Sequence, residues 1–379
     1  MTPWLVIAGD LTPLGGMDAA NHALVRYLGA RGSDVHVVTH RAWPDLTALP
    51  TVTVHLVWRP FNRHLLGGPL LSRAGRRVWR RLRPRGVHAV VNGGNCPLAG
   101  VNWVHYLHAA YAPQIAGSAA RRAKSALARR CDVGAERAAL REARIVICNS
   151  RRTRQDVVDR IGIAEERAQV VYYGSDPVRF GPVSGTERDA ARRALGCRGD
   201  RPFVGFIGAL GDRRKAFDTV FGSWTILCKR RDWDATLVVV GAGAELPAWQ
   251  RRSRESGLSD RIHFLGFRAD VPDVLAALDS LVHPARYEAY GLSVHEALCR
   301  GVPALVSATA GVAEQYPAAL AELLICDPDD AGELADRLMS WRRDIERFRS
   351  MVAPVSATLR ERTWDAMAQQ IVDCVERSA

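Results

Sequence analysis

The chain has 379 residues, of which 47% are apolar, and a formal net charge of +12. This length and composition predict about two globular domains and exclude a disordered or fibrous protein. We expect no transmembrane helix, because no run of about 18 apolar residues occurs, and the N-terminus predicts a first strand instead of a signal peptide.

Short apolar runs alternate with helical patterns along the whole sequence. In the first half, strands are predicted at residues 4–8, 35–39, 51–57, 87–91, 101–107 and 144–148, with a helix at 18–31. In the second half, strands are predicted at residues 202–207, 235–240, 262–265 and 281–283, with helices at 218–229, from about 293, and at 363–375. Strands separated by helices indicate parallel βαβ units. Two such series predict two doubly wound α/β domains, joined by a Gly/Pro-rich stretch at residues 172–200.

The eight cysteines are scattered and form no Cys-x-x-Cys pair. Several lie in apolar runs, such as Cys148 and Cys326. This usage predicts buried, reduced thiols rather than disulfides or a zinc site, and therefore a cytosolic protein.

Positive charge is concentrated in the first half of the chain. Residues 1–180 have a charge balance of +14 and the remainder a balance of −2, and residues 51–131 contain 14 basic side chains and no acidic one. This asymmetry predicts an anionic partner, which can be nucleic acid, an anionic membrane or an anionic acceptor. Arginine-rich codon usage explains the same bias without a partner.

The segment Leu70–Arg85 sets four apolar side chains among seven arginines: Leu71, Val78, Trp79 and Leu82. A basic segment with apolar residues on one side predicts attachment to an anionic membrane surface. Gly75 and Pro84 are expected to limit the helix length, and the same arginines can instead bind a soluble anionic acceptor.

The loops after the predicted strands hold the candidate site residues, since ligands of open α/β sheets bind beyond the carboxyl ends of the strands. Gly15 and Gly16 lie between the first strand and a helix, where backbone N–H groups can bind an anion. Arg213, Arg214 and Lys215 lie at the start of another helix. Cations there oppose the helix dipole, which favours a phosphate between them and the helix, although solvated surface charge is the alternative.

The most specific motif lies at residues 283–303. Glu288 follows a strand, and Glu296 lies in the next helix, which Gly301 and a following proline are expected to end. Ser293-x-x-Glu296 also matches a capping box, in which the carboxylate only satisfies the Ser293 N–H. Glu296 is therefore either a ligand-binding residue or a cap, and Glu288 is either a site residue or a solvated loop carboxylate.

Glu288 and Glu296 match the E-x7-E motif of retaining glycosyltransferases with the GT-B fold, in particular glycosyltransferase family 4. Further matches follow in the family's order at Ile147-Cys-Asn-Ser150, Val170-Val-Tyr-Tyr-Gly-Ser-Asp176, Arg214-Lys-Ala-Phe-Asp218 and Phe264-Leu-Gly266. The resemblance spans residues 15–364. It implies two Rossmann-like domains that face a cleft: an acceptor domain at 1–178 and a nucleotide-sugar domain at 179–360. A C-terminal helix at 361–379 is expected to cross back and pack on the first domain.

The same resemblance implies a metal-independent, retaining hexosyltransferase that needs no cofactor. It would move a sugar from a nucleotide-diphosphate sugar to a hydroxyl of a lipid-linked saccharide, a polysaccharide or a small natural product. Lys and Arg side chains would neutralise the leaving diphosphate in place of a metal. The expected location is the cytoplasm, with peripheral contact to the inner membrane face, and no nucleic acid is expected as a partner.

The resemblance also implies roles for individual residues. His108, Glu288 and Lys215 would be catalytic, and His108 fits the family's histidine segment better than His105. Glu288 would bind hydroxyls of the donor sugar and Glu296 the ribose, both as ionised carboxylates. The remaining nucleotide-sugar-binding residues would be Gly15, Gly16, Arg213, Arg214, Phe267, Arg268, Gly291 and Leu292.

Two positions depart from the family pattern. Ala209 replaces an arginine, and Arg213 or Arg214 is expected to supply the lost charge. Ala216 replaces a glycine, which argues against a positive φ at that position. Two other functions stay open: another GT-B enzyme, such as a nucleotide-sugar epimerase or a phosphorylase, and a protein that binds an anionic polymer. No nucleic-acid-binding motif supports the last of these.

Overall fold

The computed structural model describes residues 2–115, 118–196 and 201–377. The chain folds into two compact units. The first contains residues up to 112, residues 118–174 and the C-terminal residues from 362, and the second contains residues 175–361 with the short stretch after 112. Cys197, one of the predicted thiols, lies outside the described residues.

The first unit is built on a seven-stranded, fully parallel sheet in the order β5-β3-β1-β6-β7-β8-β9, with a parallel pair β2-β4 beside it. Its strands are β1 (Trp4–Ile7), β2 (Asp10–Leu11), β3 (Val35–Thr39), β4 (Arg41–Ala42), β5 (Val52–Leu56), β6 (His88–Asn92), β7 (Val101–Val104), β8 (Ile145–Cys148) and β9 (Ala168–Val170). The inner strands are buried on both faces. Their continuous apolar runs are typical of a sheet covered by helices on both sides.

Among the described residues, six helices belong to this unit: α1 (Gly16–Ala30), α2 (Pro44–Thr47), α3 (His64–Leu82), α4 (Ala119–Glu142), α5 (Arg151–Ile161) and α13 (Trp364–Arg377). Short 3-10 turns lie at Pro60–Asn62, Arg83–Arg85, Gly93–Asn95 and Glu165–Arg167. The C-terminal α13 packs on α1, where Arg31 donates to Gln369 at 2.6 Å. Helices α4 and α5 each begin with a serine N-cap, which is a residue type that helix N-termini favour.

Helix α3 corrects two expectations about the arginine-rich segment. Gly75 does not limit the helix, which continues for 19 residues, because a Cβ on Gly75 would lie 2.6 Å from Ile7 and glycine lets the helix approach the sheet. Leu71 and Leu82 are buried in the core, and Trp79 packs partly buried against the same cluster. These apolar side chains therefore hold α3 on the sheet and are not available to a membrane.

The second unit has a six-stranded parallel sheet in the order β12-β11-β10-β13-β14-β15. Its strands are β10 (Phe203–Ile207), β11 (Thr236–Val240), β12 (Ile262–Gly266), β13 (Ser280–His283), β14 (Ala304–Ser307) and β15 (Leu324–Ile325). Its helices are α6 (Gly185–Ala194), α7 (Phe217–Leu227), α8 (Leu246–Glu255), α9 (Val271–Ala277), α10 (Leu292–Cys299), α11 (Ala331–Arg343) and α12 (Ile345–Glu361), with 3-10 turns at Gly311–Gln315 and Ala318–Leu323. The predicted pair of doubly wound α/β domains is confirmed.

The described cysteines form no disulfide. Cys96, Cys148, Cys299 and Cys374 are buried as the sequence predicts. The expectation is wrong for Cys131 and Cys326, which are exposed. Cys326 follows the edge strand β15, beyond the part of the apolar run that the sheet buries.

Candidate active site

Lys215, His283 and Glu288 meet at the carboxyl ends of β10 and β13, which are neighbours in the second sheet. Glu288 Oε2 accepts from Lys215 Nζ and lies 2.8 Å from His283 Nε2. Lys215 Nζ is 3.4 Å from the same histidine nitrogen. The Lys215 and Glu288 side chains are 13% and 11% exposed, and His283 is fully buried. The site thus holds an ion pair that a ligand at the edge of the sheet can reach.

The three groups shift one another's pKa values. Burial alone would raise the pKa of Glu288, but the Lys215 charge and the His283 hydrogen bond outweigh it, so the pKa is lowered and the carboxylate is ionised. Burial lowers the pKa of His283, and the Lys215 charge lowers it further. His283 is therefore neutral at pH 7. Burial also lowers the pKa of Lys215, with Glu288 opposing that change.

The loop that carries Lys215 has a strained backbone. Arg213 and Ala216 both have positive φ values, +57° and +52°. Such conformations cost about 1 kcal/mol or more for residues with a Cβ. The expectation that Ala216, in place of glycine, argues against a positive φ is therefore wrong.

Arg286 holds this loop in place. Its Nη1 donates to the Arg213 carbonyl at 2.6 Å, and its backbone N–H donates to the Arg214 carbonyl at 2.9 Å. The guanidinium also pairs with both Asp218 oxygens at 2.9 Å. These bonds tie the Lys215 loop to the loop that carries Glu288, so the strained conformation is kept by its neighbours.

Two of the three adjacent cations differ in their surroundings. Arg214 lies beside the Lys215–Glu288 pair, since its Nη1 contacts the Tyr287 carbonyl at 3.4 Å. Arg213 instead points toward Glu245, with 4.0 Å between Nε and Oε1. Arg214 is thus the better placed of the two to supply the charge that Ala209 lacks.

Helix α10 begins directly after Glu288. Gly291 is its N-cap, with φ +113°, and a Cβ there would lie 2.9 Å from Val312. The backbone conformation and the close contact both require glycine. No side chain caps this end among the described residues, so the first backbone N–H groups of the helix, which begin at Leu292, are suited to bind an anion.

Glu296 is not a capping residue. Because the N-cap is Gly291, Ser293 is already the second residue of the helix, and the capping-box interpretation is wrong. Within the described part of the chain, no hydrogen bond or ion pair to the Glu296 carboxylate occurs. Burial raises the pKa of Glu296 to about 8, with the Arg179 charge opposing it. The carboxyl is then largely protonated at pH 7 and can donate as well as accept, contrary to the expectation of an ionised group.

An open cavity of about 610 Å³ lies between the β12–α9 loop and the chain around Arg179. Asp270 and Arg300 line it. Phe267 is 70% exposed at the end of β12, and Arg268 pairs with Asp270 through Nε and Oδ1 at 2.8 Å. Phe267 and Arg268 therefore lie directly after the edge strand β12, with Arg268 already engaged by a carboxylate.

In the first unit, Gly15 is the N-cap of α1, with φ +83°, and Gly16 is the first residue of the helix. No side chain caps α1 among the described residues. The predicted glycine turn after the first strand thus forms at a helix start.

His108 follows β7, and its backbone N–H donates to Glu136 Oε1 at 2.8 Å. Burial lowers the pKa of His108, with Asp132 opposing it, so the ring is neutral at pH 7. His105 is buried, and its Nδ1 lies 2.5 Å from the Tyr173 hydroxyl. Burial lowers the pKa of His105 to about 3, which fits a core residue.

Two family models match this sequence. One described as "Glycosyltransferase Family 4" matches residues 14–179, and one described as "Glycosyl transferases group 1" matches residues 201–344. The chain belongs to the glycosyltransferases of family 4 type.

Curated relatives of this family 4 chain act on different acceptors. It is 30% identical to the lipopolysaccharide core biosynthesis mannosyltransferase LpsB of Rhizobium meliloti, over 47% of the chain and 52% of that protein. It is 30% identical to the 2-deoxystreptamine N-acetyl-D-glucosaminyltransferase of Streptomyces fradiae, over 66% of the chain and 58% of that protein. The matched region thus spans just over half the length of these relatives.

Solved structures share the fold of this glycosyltransferase. Anabaena Alr3699/HepE in complex with UDP-glucose superimposes with a TM-score of 0.74 at 20% identity, covering 99% of both chains. The two Rossmann-like units are those of the GT-B fold, as predicted.

Sequence reasoning missed three residues that shape the family 4 site. His283 contacts the catalytic candidates, Arg286 ties their loops together, and Glu136 holds the His108 loop. The position of His283 as the last residue of a buried strand was an available signal, because strand ends of this sheet type carry site residues. Arg286 and Glu136 carry no signal in the sequence.

Proposed function

We propose that this protein is a retaining glycosyltransferase that moves a hexose from a nucleotide-diphosphate sugar to a hydroxyl acceptor. The observation that carries the proposal is the meeting of Lys215 and Glu288 beside the start of α10. The cation and the uncapped N–H groups suit a diphosphate, and the carboxylate beside them suits the hydroxyls of the attached sugar. Whole-protein activity is proposed from the site, because the curated relatives are matched over only part of their length.

The donor would bind on the second unit. Lys215 and Arg214 would neutralise the diphosphate, and the N–H groups at Gly291 and Leu292 would bind its distal phosphate. Glu296 would hold the ribose. UDP-glucose is a reasonable first donor to test, because a structure of the same fold contains it.

Catalysis would depend on stabilising the charge that builds on the leaving diphosphate while the sugar acquires oxocarbenium character. Lys215 supplies fixed positive charge there, so we infer that no metal is required. A leaving-phosphate oxygen would take the proton of the acceptor hydroxyl on the same face of the sugar, which retains the anomeric configuration.

Acceptor binding is assigned to the first unit, with His108 contributing to it. Two acceptor classes are supported by the relatives: a lipid-linked saccharide by the lipopolysaccharide core mannosyltransferase, and a small natural product by the 2-deoxystreptamine transferase. The basic character of residues 51–131 favours the lipid-linked acceptor at an anionic surface.

A thermal-unfolding screen with UDP-, GDP- and ADP-sugars tests the donor. We expect at least one nucleotide sugar, at millimolar concentration, to raise the melting temperature. The nucleotide sugar should raise it more than the bare nucleotide does. The Lys215→Ala variant should lose this stabilisation. A protein that no nucleotide or nucleotide sugar stabilises would contradict the proposal.

We also propose peripheral membrane contact, through a different surface from the one that the sequence suggested. No described helix is long and apolar enough to cross a bilayer. The stretch before and at the start of α3 exposes large apolar side chains: Leu56, Trp58, Phe61, Leu65, Leu66 and Leu70. Phe61 is 84% exposed, and the arginines of the same segment are matched by no acidic residue between 51 and 131. Arg59 and Arg85 pair with Asp10 and Asp34, but the segment keeps a surplus of positive charge. Exposed apolar groups beside such a surplus suit an anionic lipid surface.

Sedimentation with vesicles of mixed anionic and neutral lipid tests this surface. Binding is expected at low salt, weaker at high salt, and lost in a Phe61→Glu/Leu65→Glu double variant. Val178→Glu serves as the control, because Val178 is 91% exposed but lies in the second unit. Equal binding by all three proteins, or none by the wild type at low salt, would contradict membrane contact through this surface.

A further inference from the structure

We infer that His283 is a positioning residue for the glycosyl donor, because its Nε2–H holds Glu288 Oε2 so that the other carboxylate oxygen faces the donor sugar. The inference rests on the proposed function, since it assigns a partner to the carboxylate that would bind the sugar. It adds a residue of β13 to the site.

The tautomer of His283 follows from its contacts. Nε2 lies 2.8 Å from Glu288 Oε2, a distance at which two lone pairs would repel, so Nε2 carries the hydrogen and donates it. The longer 3.4 Å approach of Lys215 Nζ to Nε2 is then a contact between two donors to the same oxygen. Nδ1 is left as an acceptor without a partner among the described residues.

His283 is a poor choice for a purely structural position. It is fully buried at the end of β13, and an unpartnered buried nitrogen destabilises the fold. A leucine would pack at a strand end without leaving a polar atom unpaired. Among the residues that the structure describes, the favourable polar contact of the ring is the bond to Glu288, which points to a role at that carboxylate.

The contacts divide the two oxygens of Glu288. Within the described part of the chain, both donors, Lys215 and His283, act on Oε2. Oε1 keeps its lone pairs for hydroxyl groups of the sugar. A bound diphosphate would draw on the charge of Lys215, whereas the neutral N–H of His283 stays with Glu288. His283 therefore keeps the carboxylate oriented and ionised in the complex.

Three substitutions separate this role from packing. The amide nitrogen of His283→Gln can reach the position of Nε2, the shorter His283→Asn reaches only the position of Nδ1, and His283→Leu has no donor. His295→Leu is the matched control, because His295 is also fully buried in this unit but bonds to the Tyr290 hydroxyl at 2.8 Å.

Calorimetry compares the affinity of each variant for UDP-glucose and for UDP, with GDP-mannose and GDP replacing them if the donor screen favours guanine. His283→Leu and His283→Asn should lower the affinity for the nucleotide sugar about tenfold, which is the effect of losing one hydrogen bond to a charged group. Their affinity for the bare nucleotide should stay unchanged. His283→Gln should restore the affinity. His295→Leu should lower the melting temperature without changing the ratio of the two affinities.

The pH dependence gives a second readout. The groups that face Glu288 are Lys215, Arg214 and His283. Loss of the His283 donor should move the acid limit of nucleotide-sugar binding upward by about one pH unit. The wild-type ring should show the Nε2–H tautomer in ¹⁵N NMR spectra without any ligand.

The outcomes separate the two claims. A wild-type protein that binds no nucleotide sugar contradicts the proposed function. A wild-type protein that binds one, with variants that bind it equally well or lose sugar and bare nucleotide alike, contradicts only the role of His283. An Nδ1–H tautomer, or equal behaviour of the Gln and Asn variants, also contradicts it.

Discussion

Substitutions of Glu296 separate ligand binding from helix capping. For Glu296→Gln, the structure gives the expected change in the free energy of unfolding with pH. The wild-type carboxyl has a pKa raised from 4.5 to about 8 by burial. A raised acid pKa stabilises the fold below pH 4.5, and this contribution is lost as the pH rises through 8. Between pH 6 and pH 8, the unfolding free energy of the wild type should therefore fall by about 2 kcal/mol relative to Glu296→Gln.

Urea unfolding at the two pH values measures this difference, with Glu255→Gln on the exposed side of α8 as the control. At pH 6 the variant should be more stable than the wild type by about 2 kcal/mol, because the wild-type carboxyl must take up a proton on folding and no capping bond is lost. UDP binding should weaken about tenfold in a second variant, Glu296→Ala, which removes the hydrogen bond to ribose, because the Gln amide can still donate and accept there. Unchanged nucleotide affinity would refute the ribose assignment, and a stability loss of about 1 kcal/mol at pH 6 would restore the capping interpretation.

Three further predictions follow from the loops. Lys215→Ala should lower the rate of donor cleavage at least about 100-fold with little change in melting temperature, whereas Lys229→Ala, at an exposed position after the end of α7, should not. Equal rates in the Lys215→Ala variant and the wild type would show that Lys215 does not act on the diphosphate. Ala216→Gly should raise the unfolding free energy by about 0.5–1 kcal/mol, because glycine adopts the positive φ without strain; a lower melting temperature would contradict this. Glu136→Ala should lower transfer to an acceptor while calorimetric nucleotide binding stays unchanged, since the His108 loop loses its two N–H acceptors; full transfer activity would show that the loop does not need them.

Ten of the strands and the order of the two domains could be predicted, because most of these strands are continuous apolar runs. The prediction missed β14 and the shorter strands β2, β4, β9 and β15. The long helices α3 and α4 could not, because arginines interrupt their apolar spacing and Gly75 resembles a helix breaker. Only the packing of Gly75 against Ile7 shows why the helix continues. The apolar residues of α3 that the sequence assigned to a membrane surface also pack on the sheet, since the spacing of residues does not tell which face of a helix meets the sheet.

The candidate site was predictable where its residues follow strands or match a family motif, as Lys215 and Glu288 do. His283 was missed although its position at the end of a buried strand is a signal, because a histidine of the core shows the same pattern. The left-handed conformation of Ala216 was also hidden, because it depends on bonds from Arg286, 70 positions away in the chain. Long-range contacts of this kind have no local signal in the sequence.

The most direct test of the central claim is the anomeric configuration of the sugar released from the donor. Without an added acceptor, water replaces the hydroxyl substrate, and proton NMR within minutes of adding enzyme distinguishes the two anomers before they equilibrate. For UDP-glucose, or the α-linked donor that the screen selects, we expect α-glucose or the corresponding α-sugar to appear first, and Lys215→Ala to release far less of it. First appearance of the β-anomer, or cleavage at the wild-type rate by Lys215→Ala, would contradict it.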